Sequence, residues 1–230
     1  MVWFALVVCV LLLALSYRGL RRCEAASPAD WGDRWTNRIA GLIALFCRRY
    51  HHFQFDPIPL PAAGSAVVAA NHLSGLDPLL LIAASPRPLR FLIAREEYER
   101  FGLKWLFRRA HCIPVDRVKQ PERALREALR ALNNGDVIAV FPQGHIPRPK
   151  DPPRKLKGGV VRLAQKADCP VYPVRVSGLR AAGHLLWPIV MPGQARLRVL
   201  PVMDCSGLEH AACMAQLTRQ LLPPNRYDNS

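Results

Sequence analysis

A histidine and an aspartate five residues apart are the side chains of this sequence that most directly suggest chemistry. They lie in Asn71-His72-Leu73-Ser74-Gly75-Leu76-Asp77, directly after a compact apolar run at 65–70. A carboxylate that accepts from one imidazole nitrogen fixes the tautomer of the ring and makes the other nitrogen more basic. A histidine held in this way can remove the proton from a substrate hydroxyl. His72 and Asp77 are therefore the candidate catalytic residues.

Two other interpretations of this segment stay open at the level of sequence. Ser74 lies close by, so a Ser/His/Asp hydrolase has to be considered, although the sequence contains no G-x-S-x-G nucleophile elbow. His72 could also be a capping or packing residue beside a turn that contains Gly75 and Pro78. A single histidine–aspartate pair with this spacing is weak by itself, so its meaning depends on other motifs.

Three further blocks follow the histidine–aspartate pair in order, and with it they resemble the glycerolipid acyltransferases of the lysophosphatidic acid acyltransferase type. The hallmark of that family is a histidine, four residues and an aspartate. The match covers roughly residues 55–180. Its other blocks are Ile113-Pro114-Val115-Asp116-Arg117, Phe141-Pro142-Gln143-Gly144 and Val171-Tyr172-Pro173-Val174, with Leu156-Lys157-Gly158-Gly159 linking the last two.

The resemblance implies a direct transfer of a fatty acyl group from acyl-CoA or acyl-carrier protein to 1-acylglycerol-3-phosphate, which yields phosphatidic acid. His72 would act as the base and Asp77 would orient it. Arg117 would hold the phosphate of the acceptor, Asn71 would lie beside the substrate, and backbone amides near Gly144 would stabilise the oxyanion. The acyl carrier is a co-substrate, and neither a metal nor a bound cofactor is implied.

The third block departs from the usual Phe-Pro-Glu-Gly-Thr-Arg pattern of the family. Gln143 replaces the glutamate, His145 the threonine and Ile146 the arginine. Glutamine keeps an acceptor oxygen but loses the charge, and the missing arginine removes a bidentate phosphate ligand. Basic residues just beyond the block could substitute for it. With Gln143 and Gly144, the candidates for substrate binding there are Arg148 and Lys157, and Lys150, Arg154 and Lys155 lie between them.

These departures keep two alternatives open. One is an acyltransferase for another lyso-lipid, such as lyso-ornithine lipid or another lysophospholipid. The other is a non-catalytic relative that binds membranes and retains only the fold.

Apolar runs alternate with amphipathic stretches from residue 57 onward, which predicts an α/β fold with a largely parallel sheet flanked by helices. A long irregular stretch rich in Pro, Arg and Lys is expected at 142–156. The predicted strands are 65–70, 89–94, 112–115, 136–141, 171–176 and 196–202, and the predicted helices are 96–109, 121–133, 158–167 and 208–222.

The N-terminal residues predict a membrane-associated helical segment. Met1 to Tyr17 carry no charge and would form a helix of about 25 Å, followed at once by Arg18, Arg21 and Arg22. Charge after the apolar run suits an uncleaved anchor with the rest of the chain in the cytoplasm, at a bacterial inner membrane. Residues 35–53 resemble an amphipathic helix in the membrane interface, although a core helix with a basic outer face would look similar. The predicted division is 1–54 for the anchor and this helix, and 55–230 for the acyltransferase domain.

The composition indicates an anionic partner and no disulfide framework. The 32 Lys and Arg exceed the 17 Asp and Glu, for a formal net charge of +15, which suits membrane phospholipid or a phosphorylated substrate. Aromatic residues do not alternate with the basic ones, so nucleic acid is not an expected partner. Seven cysteines without a C-x-x-C pair predict neither disulfides nor a zinc site, and suit small buried apolar residues in a reducing compartment.

Overall fold

A seven-stranded sheet lies at the centre of the computed structural model, which describes residues 2–116, 120–147 and 155–222. Its strand order is β1-β7-β6-β2-β5-β3-β4. Neighbouring strands are parallel except β6 and β7, which are antiparallel. The predicted α/β fold with a largely parallel sheet is therefore confirmed. The strands are β1 (Gln54–Phe55), β2 (Ala66–Ala70), β3 (Leu89–Ala94), β4 (Ile113–Val115), β5 (Val137–Val140), β6 (Val171–Ser177) and β7 (Arg196–Val199).

Helices cover both faces of the sheet, so the fold has three layers. They are α1 (Val2–Ala25), α2 (Arg34–Tyr50), α3 (Asp77–Ala84), α4 (Arg95–Tyr98), α5 (Lys104–Arg109), α6 (Pro121–Asn133), α7 (Gly159–Ala167), α8 (Trp187–Val190) and α9 (His210–Leu221).

Strand β2 shows how the sheet divides the core. Ala66, Val68 and Ala70 point into one apolar cluster, which also contains residues of α2 and α3, whereas Val67 and Ala69 point into a second cluster with α6, α7 and α9. Successive side chains of a strand point to opposite faces, and a strand buried on both faces reads as a continuous apolar run. The run of Ala and Val at 66–70 therefore places β2 in the middle of the sheet.

The structure corrects the predicted helix at 96–109. Two short helices, α4 and α5, occupy this stretch, and Gly102 lies between them with φ of +80°. This left-handed conformation is costly for residues with a Cβ and interrupts the helix. Strand β1 and helices α3 and α8 have no counterpart among the predicted elements.

The two N-terminal helices pack against each other, and α2 also packs into the apolar cluster on one face of the sheet. α1 continues beyond Tyr17 through the basic residues to Ala25. In the part of the chain that the structure describes, no helix combines the length and the apolar character needed to cross a membrane. The buried face of α2 includes Ala44 and Cys47, which belong to the same apolar cluster as β2. This is the packing of a core helix with a basic outer face, while the division after residue 54 stays a prediction.

Two polar contacts fix the start and the orientation of α2. Asp33 caps its N-terminus by accepting from the N–H groups of Trp35 (2.9 Å) and Thr36 (3.1 Å). Glu24 of α1 pairs with Arg34 at 3.2 Å and with Arg38 at 3.1 Å. The α1–α2 pair is therefore held by polar contacts as well as by packing.

Candidate active site

The histidine–aspartate segment and the third block lie side by side at one edge of the sheet. β2 ends at Ala70, directly before the first segment, and β5 ends at Val140, directly before Phe141. The two strands are parallel neighbours, so the residues after their carboxyl ends meet at the same edge. This is the edge at which open α/β sheets bind ligands.

Asp77 holds His72 and the loop between them. The Nδ1 of His72 lies 2.8 Å from Oδ2 of Asp77, and the same oxygen accepts from the N–H groups of Leu73 and Ser74. The Asp77 side chain is fully buried, whereas 17% of the His72 side chain is exposed. A buried carboxylate is tolerated when its oxygens accept several hydrogen bonds, as they do here. Helix α3 begins at Asp77, so the carboxylate is fixed at the start of a rigid element.

The hydrogen bonds of Ser74 contradict a Ser/His/Asp hydrolase. Its hydroxyl donates to Oδ1 of Asp77 at 3.0 Å and accepts from the N–H of Leu76 at 3.1 Å. Ser74 is fully buried. Its oxygen is therefore directed at the carboxylate rather than at the imidazole, and it cannot serve as a nucleophile in this arrangement.

The imidazole of His72 is packed on one face, and its Nε2 is the nitrogen that can accept a proton. The ring of Phe141 stacks on it, with centroids 4.2 Å apart and an interplanar angle of 16°. With a carboxylate at Nδ1, the neutral ring carries its proton on that nitrogen and its lone pair on Nε2. No hydrogen bond joins Nε2 to another residue within the described ranges 2–116, 120–147 and 155–222. Phe141 belongs to the third block, but its residue type alone does not predict this contact.

Gln143 and Asn71 both hydrogen-bond to main-chain groups of the site. Oε1 of Gln143 accepts from the N–H of His72, so an uncharged amide supplies the acceptor that follows β5. The side chain of Asn71 is buried and pairs twice with Val176 of β6: its Nδ2 donates to the carbonyl at 2.9 Å, and its Oδ1 accepts from the N–H at 2.7 Å. Both side chains therefore tie the histidine segment to the neighbouring strands.

Gly144 and Lys157 are in contact at the turn after β5. Gly144 has φ of +76°, and its N–H donates to the carbonyl of Phe141 at 2.9 Å. The Nζ of Lys157 lies 2.8 Å from the point that a Cβ of residue 144 would occupy. The lysine thus crosses the turn in the space that the glycine leaves. The N–H of Gly144 is engaged within the turn, so the predicted oxyanion contact would have to come from other donors.

The segment that connects β6 to β7 holds the histidine loop from outside, a role that the sequence did not indicate. The N–H of Gly75 donates to the carbonyl of Leu185 at 3.2 Å, and the N–H of Gly183 donates to the carbonyl of Leu73 at 2.8 Å. A Cβ at residue 75 would lie 2.3 Å from that Leu185 oxygen, so only glycine fits. These contacts use main-chain atoms, and the one available sequence signal was the glycine itself.

Two predicted substrate-binding residues, Arg117 and Arg148, lie outside the described residues, as do Lys150 and Arg154. Asp116, which directly precedes Arg117, pairs with Arg95 at 3.4 Å. Asp116 directly follows β4, and β4, β3, β5 and β2 are parallel neighbours, so Asp116 lies at the same edge of the sheet as the residues that follow β2 and β5.

The described geometry suits general-base chemistry on a hydroxyl. The imidazole is oriented by a buried carboxylate, is stacked on one face by an aromatic ring, and retains a nitrogen that can accept a proton. No group of three or more His, Cys, Asp or Glu side chains suited to a metal ion occurs in the ranges that the structure describes.

Comparisons with known proteins agree with this geometry. A family model described as Acyltransferase matches residues 45–177, more than half of the 230-residue chain. The chain is 26% identical over 120 residues to 1-acyl-sn-glycerol-3-phosphate acyltransferase of Bacillus subtilis, covering 52% of this chain and 59% of the relative. It is 34% identical over 119 residues to a probable 1-acyl-sn-glycerol-3-phosphate acyltransferase of Mycoplasma genitalium, covering 49% and 44%. The chain thus spans about half the length of these relatives.

The fold is similar to that of a solved structure, the 1-acyl-sn-glycerophosphate acyltransferase PlsC from Thermotoga maritima. The TM-score is 0.62 at 24% identity, and the similarity covers 81% of this chain and 78% of that one. All four blocks identified in the sequence lie within the range that the family model matches. The chain therefore belongs to the acyltransferase family.

Proposed function

We propose that the chain transfers a fatty acyl group from acyl-CoA or acyl-carrier protein to the hydroxyl of 1-acylglycerol-3-phosphate and so forms phosphatidic acid. The observation that carries this proposal is the 2.8 Å contact between His72 and the buried Asp77 in a member of the acyltransferase family. The names of the relatives from Bacillus subtilis and Mycoplasma genitalium support this choice of acceptor.

In the proposed reaction, Nε2 of His72 accepts the proton of the acceptor hydroxyl while that oxygen attacks the thioester carbonyl. The new C–O bond gives a tetrahedral oxyanion, which collapses with cleavage of the C–S bond. The proton on His72 then passes to the leaving thiolate, which departs as the free thiol. The carboxylate of Asp77 stabilises the imidazolium that exists between these steps. The hydrogen bonds of Ser74 to Asp77 and Leu76 support a direct transfer without an acyl-enzyme.

The proposal includes a membrane location with the site on the cytoplasmic side. Acceptor and product are both lipids, and the apolar start of α1 is followed by Arg18, Arg21 and Arg22. Cationic residues beside an apolar helix favour anionic headgroups. In this proposal, residues 1–54 associate with lipid and residues 55–230 carry the chemistry.

A second acceptor class is favoured by the third block. Gln143 uses its amide oxygen on the N–H of His72, and Ile146 stands where the family has an arginine. A larger headgroup or an acceptor without a phosphate monoester, such as lyso-ornithine lipid, is consistent with the loss of that arginine. Arg117, Arg148 and Lys157 remain candidates for contact with a phosphate.

The experiment is an acceptor panel with the full chain in mixed vesicles, using acyl-CoA or acyl-carrier protein as the donor and His72→Ala as the comparison. Transfer to 1-acylglycerol-3-phosphate that disappears in His72→Ala, with an unchanged thermal unfolding midpoint, is the expected result. Transfer to another lyso-lipid alone would replace the acceptor in the proposal. No transfer from either donor to any acceptor would leave the membrane-binding, non-catalytic relative as the better account.

A further inference from the structure

An exposed apolar surface occurs in the segment between β6 and β7. Leu186 is 65% exposed, Trp187 61% and Val190 57%, and Leu185 and Met191 are exposed beside them. These residues belong to or flank the short helix α8. Soluble proteins rarely expose several large apolar side chains together unless the surface has a partner. We refer to residues 185–191 as the α8 surface.

Cations lie next to one end of the α8 surface, and acidic residues are absent from its part of the sequence. No Asp or Glu occurs between Asp168 and Asp204. Arg180 and Arg196, together with His52, line an open cavity of about 730 Å³ directly beside this surface, at Gly178 and Gly193. A surface that combines exposed apolar groups with neighbouring cations is complementary to a bilayer that contains anionic lipid.

The neighbouring end of α2 extends the same character. Arg48 and Arg49 are exposed in its last turn, and no acidic residue occurs between Asp33 and Asp56. The hydroxyl of Tyr50 donates to the carbonyl of Val190 at 2.6 Å, so this basic helix end and the α8 surface are joined directly.

The α8 surface is also joined to the histidine loop. The carbonyl of Leu185 accepts from the N–H of Gly75, and the N–H of Gly183 donates to the carbonyl of Leu73. A bilayer in contact with α8 would therefore lie beside the segment that carries His72.

We propose that the α8 surface docks onto a bilayer of anionic phospholipid, with Leu186, Trp187 and Val190 at the acyl boundary and Arg180 and Arg196 at the headgroup phosphates. Tryptophan favours this boundary because its ring is apolar and its N–H can remain hydrated. The docking is independent of the acceptor and of turnover. The α8 surface would thus be a second site of contact with lipid, in addition to the contact proposed for α1.

Quenching of Trp187 tests this contact separately from α1. The fluorescence of Trp187 is obtained by subtracting the emission of Trp187→Phe from that of the original chain. Both are measured on vesicles of phosphatidylglycerol with brominated acyl chains. The proposal requires that this difference be quenched when the chain is bound. Full, unquenched emission of Trp187 on chain that has sedimented with the vesicles would overturn it.

A matched pair of substitutions tests the energetic contribution. Val190→Asp is expected to weaken vesicle binding by about tenfold, since it removes an apolar side chain from the boundary and adds a charge there. The control is Val202→Asp, because Val202 is 47% exposed and lies next to Met203, which pairs with Val171 at the opposite end of β6. The control should bind as the original chain does. Equal effects of the two substitutions would contradict the proposal.

Charge substitutions test the choice of lipid. Arg180→Gln and Arg196→Gln should each weaken binding to phosphatidylglycerol vesicles by about fivefold. Binding to phosphatidylcholine should change by less than twofold. If both substitutions leave vesicle binding unchanged but raise the KM for acyl-carrier protein, the surface recognises an acidic protein and the lipid proposal fails. All of these binding measurements can be made on His72→Ala, so loss of docking and loss of the proposed activity are distinguishable.

Discussion

Replacing Asp77 by asparagine removes the charge that faces His72 and changes the shape of the side chain very little. One oxygen of the asparagine can still accept from the N–H groups of Leu73 and Ser74 and from Nδ1 of His72, as Oδ2 does now. The amide NH₂ would face the Ser74 hydroxyl, whose oxygen can accept from it. The loop should therefore keep its conformation while the imidazolium loses its counter-charge.

The size of the effect follows from the distance between the charges. For charge centres about 4 Å apart and an effective dielectric constant of about 20, the attraction is about 4 kcal/mol. If this attraction is present mainly in the transition state, its loss lowers kcat by about a thousandfold and changes KM much less. The full burial of Asp77 justifies a dielectric constant well below that of water.

The assay is steady-state acyl transfer to the best acceptor of the panel, with thermal unfolding as the control for folding. Asp77→Asn should unfold close to the original midpoint. In a His72→Ala background, Asp77→Asn should lower the residual rate by less than threefold, because Asp77 acts through the histidine. A well-folded Asp77→Asn variant that retains more than a tenth of the original kcat would refute the proposed role of Asp77.

Two further predictions concern packing and thiol chemistry. Gly75→Ala should lower the free energy of unfolding by about 1–3 kcal/mol and remove most of the activity, because its Cβ would meet the Leu185 carbonyl. Gly159→Ala is the control and should change neither, because the space around Gly159 is open. Unfolding midpoints and transfer rates measure both effects, and equal midpoints for the two variants would contradict the close contact at Gly75. Burial raises the pKa of the Cys112 and Cys169 thiols to about 11. At pH 8, iodoacetamide should therefore modify both thiols at least a hundredfold more slowly in the native chain than in guanidinium. Mass spectrometry of the two cysteine peptides measures these rates, and similar rates in both conditions would contradict the burial.

The elements that the sequence predicts well are those whose ends are marked by their own residues or by adjacent ones. The sequence predicts β3 at 89–94 and the strand spans Leu89–Ala94, where Pro88 precedes the run and Arg95 follows it. Helix α6 was expected from Pro121 because proline suits the first turn, and Asn134-Gly135 follows its end as expected. The sequence does not predict helix α3, because the run after Asp77 is almost uniformly apolar and most of it is buried, so it shows no helical spacing.

The parts of the candidate site that depend on strand order could not be predicted. The stacking of Phe141 on His72 and the acceptor role of Gln143 require β5 to lie next to β2, and strand order is a property of the whole sheet. The support from Leu185 and Gly183 uses main-chain atoms, which no residue type reveals. The pair of His72 and Asp77 could be identified because both residues lie within one short loop.

Phe141 and Gln143 reach His72 from the same strand end, one through its ring and the other through its amide oxygen. The number of residues between the end of β5 and these two side chains therefore determines where both of them contact His72. Inserting one residue after Val140 would displace both contacts together, even though neither residue would be changed. The third block is for this reason more sensitive to its length than to single replacements that preserve an aromatic ring and an acceptor oxygen.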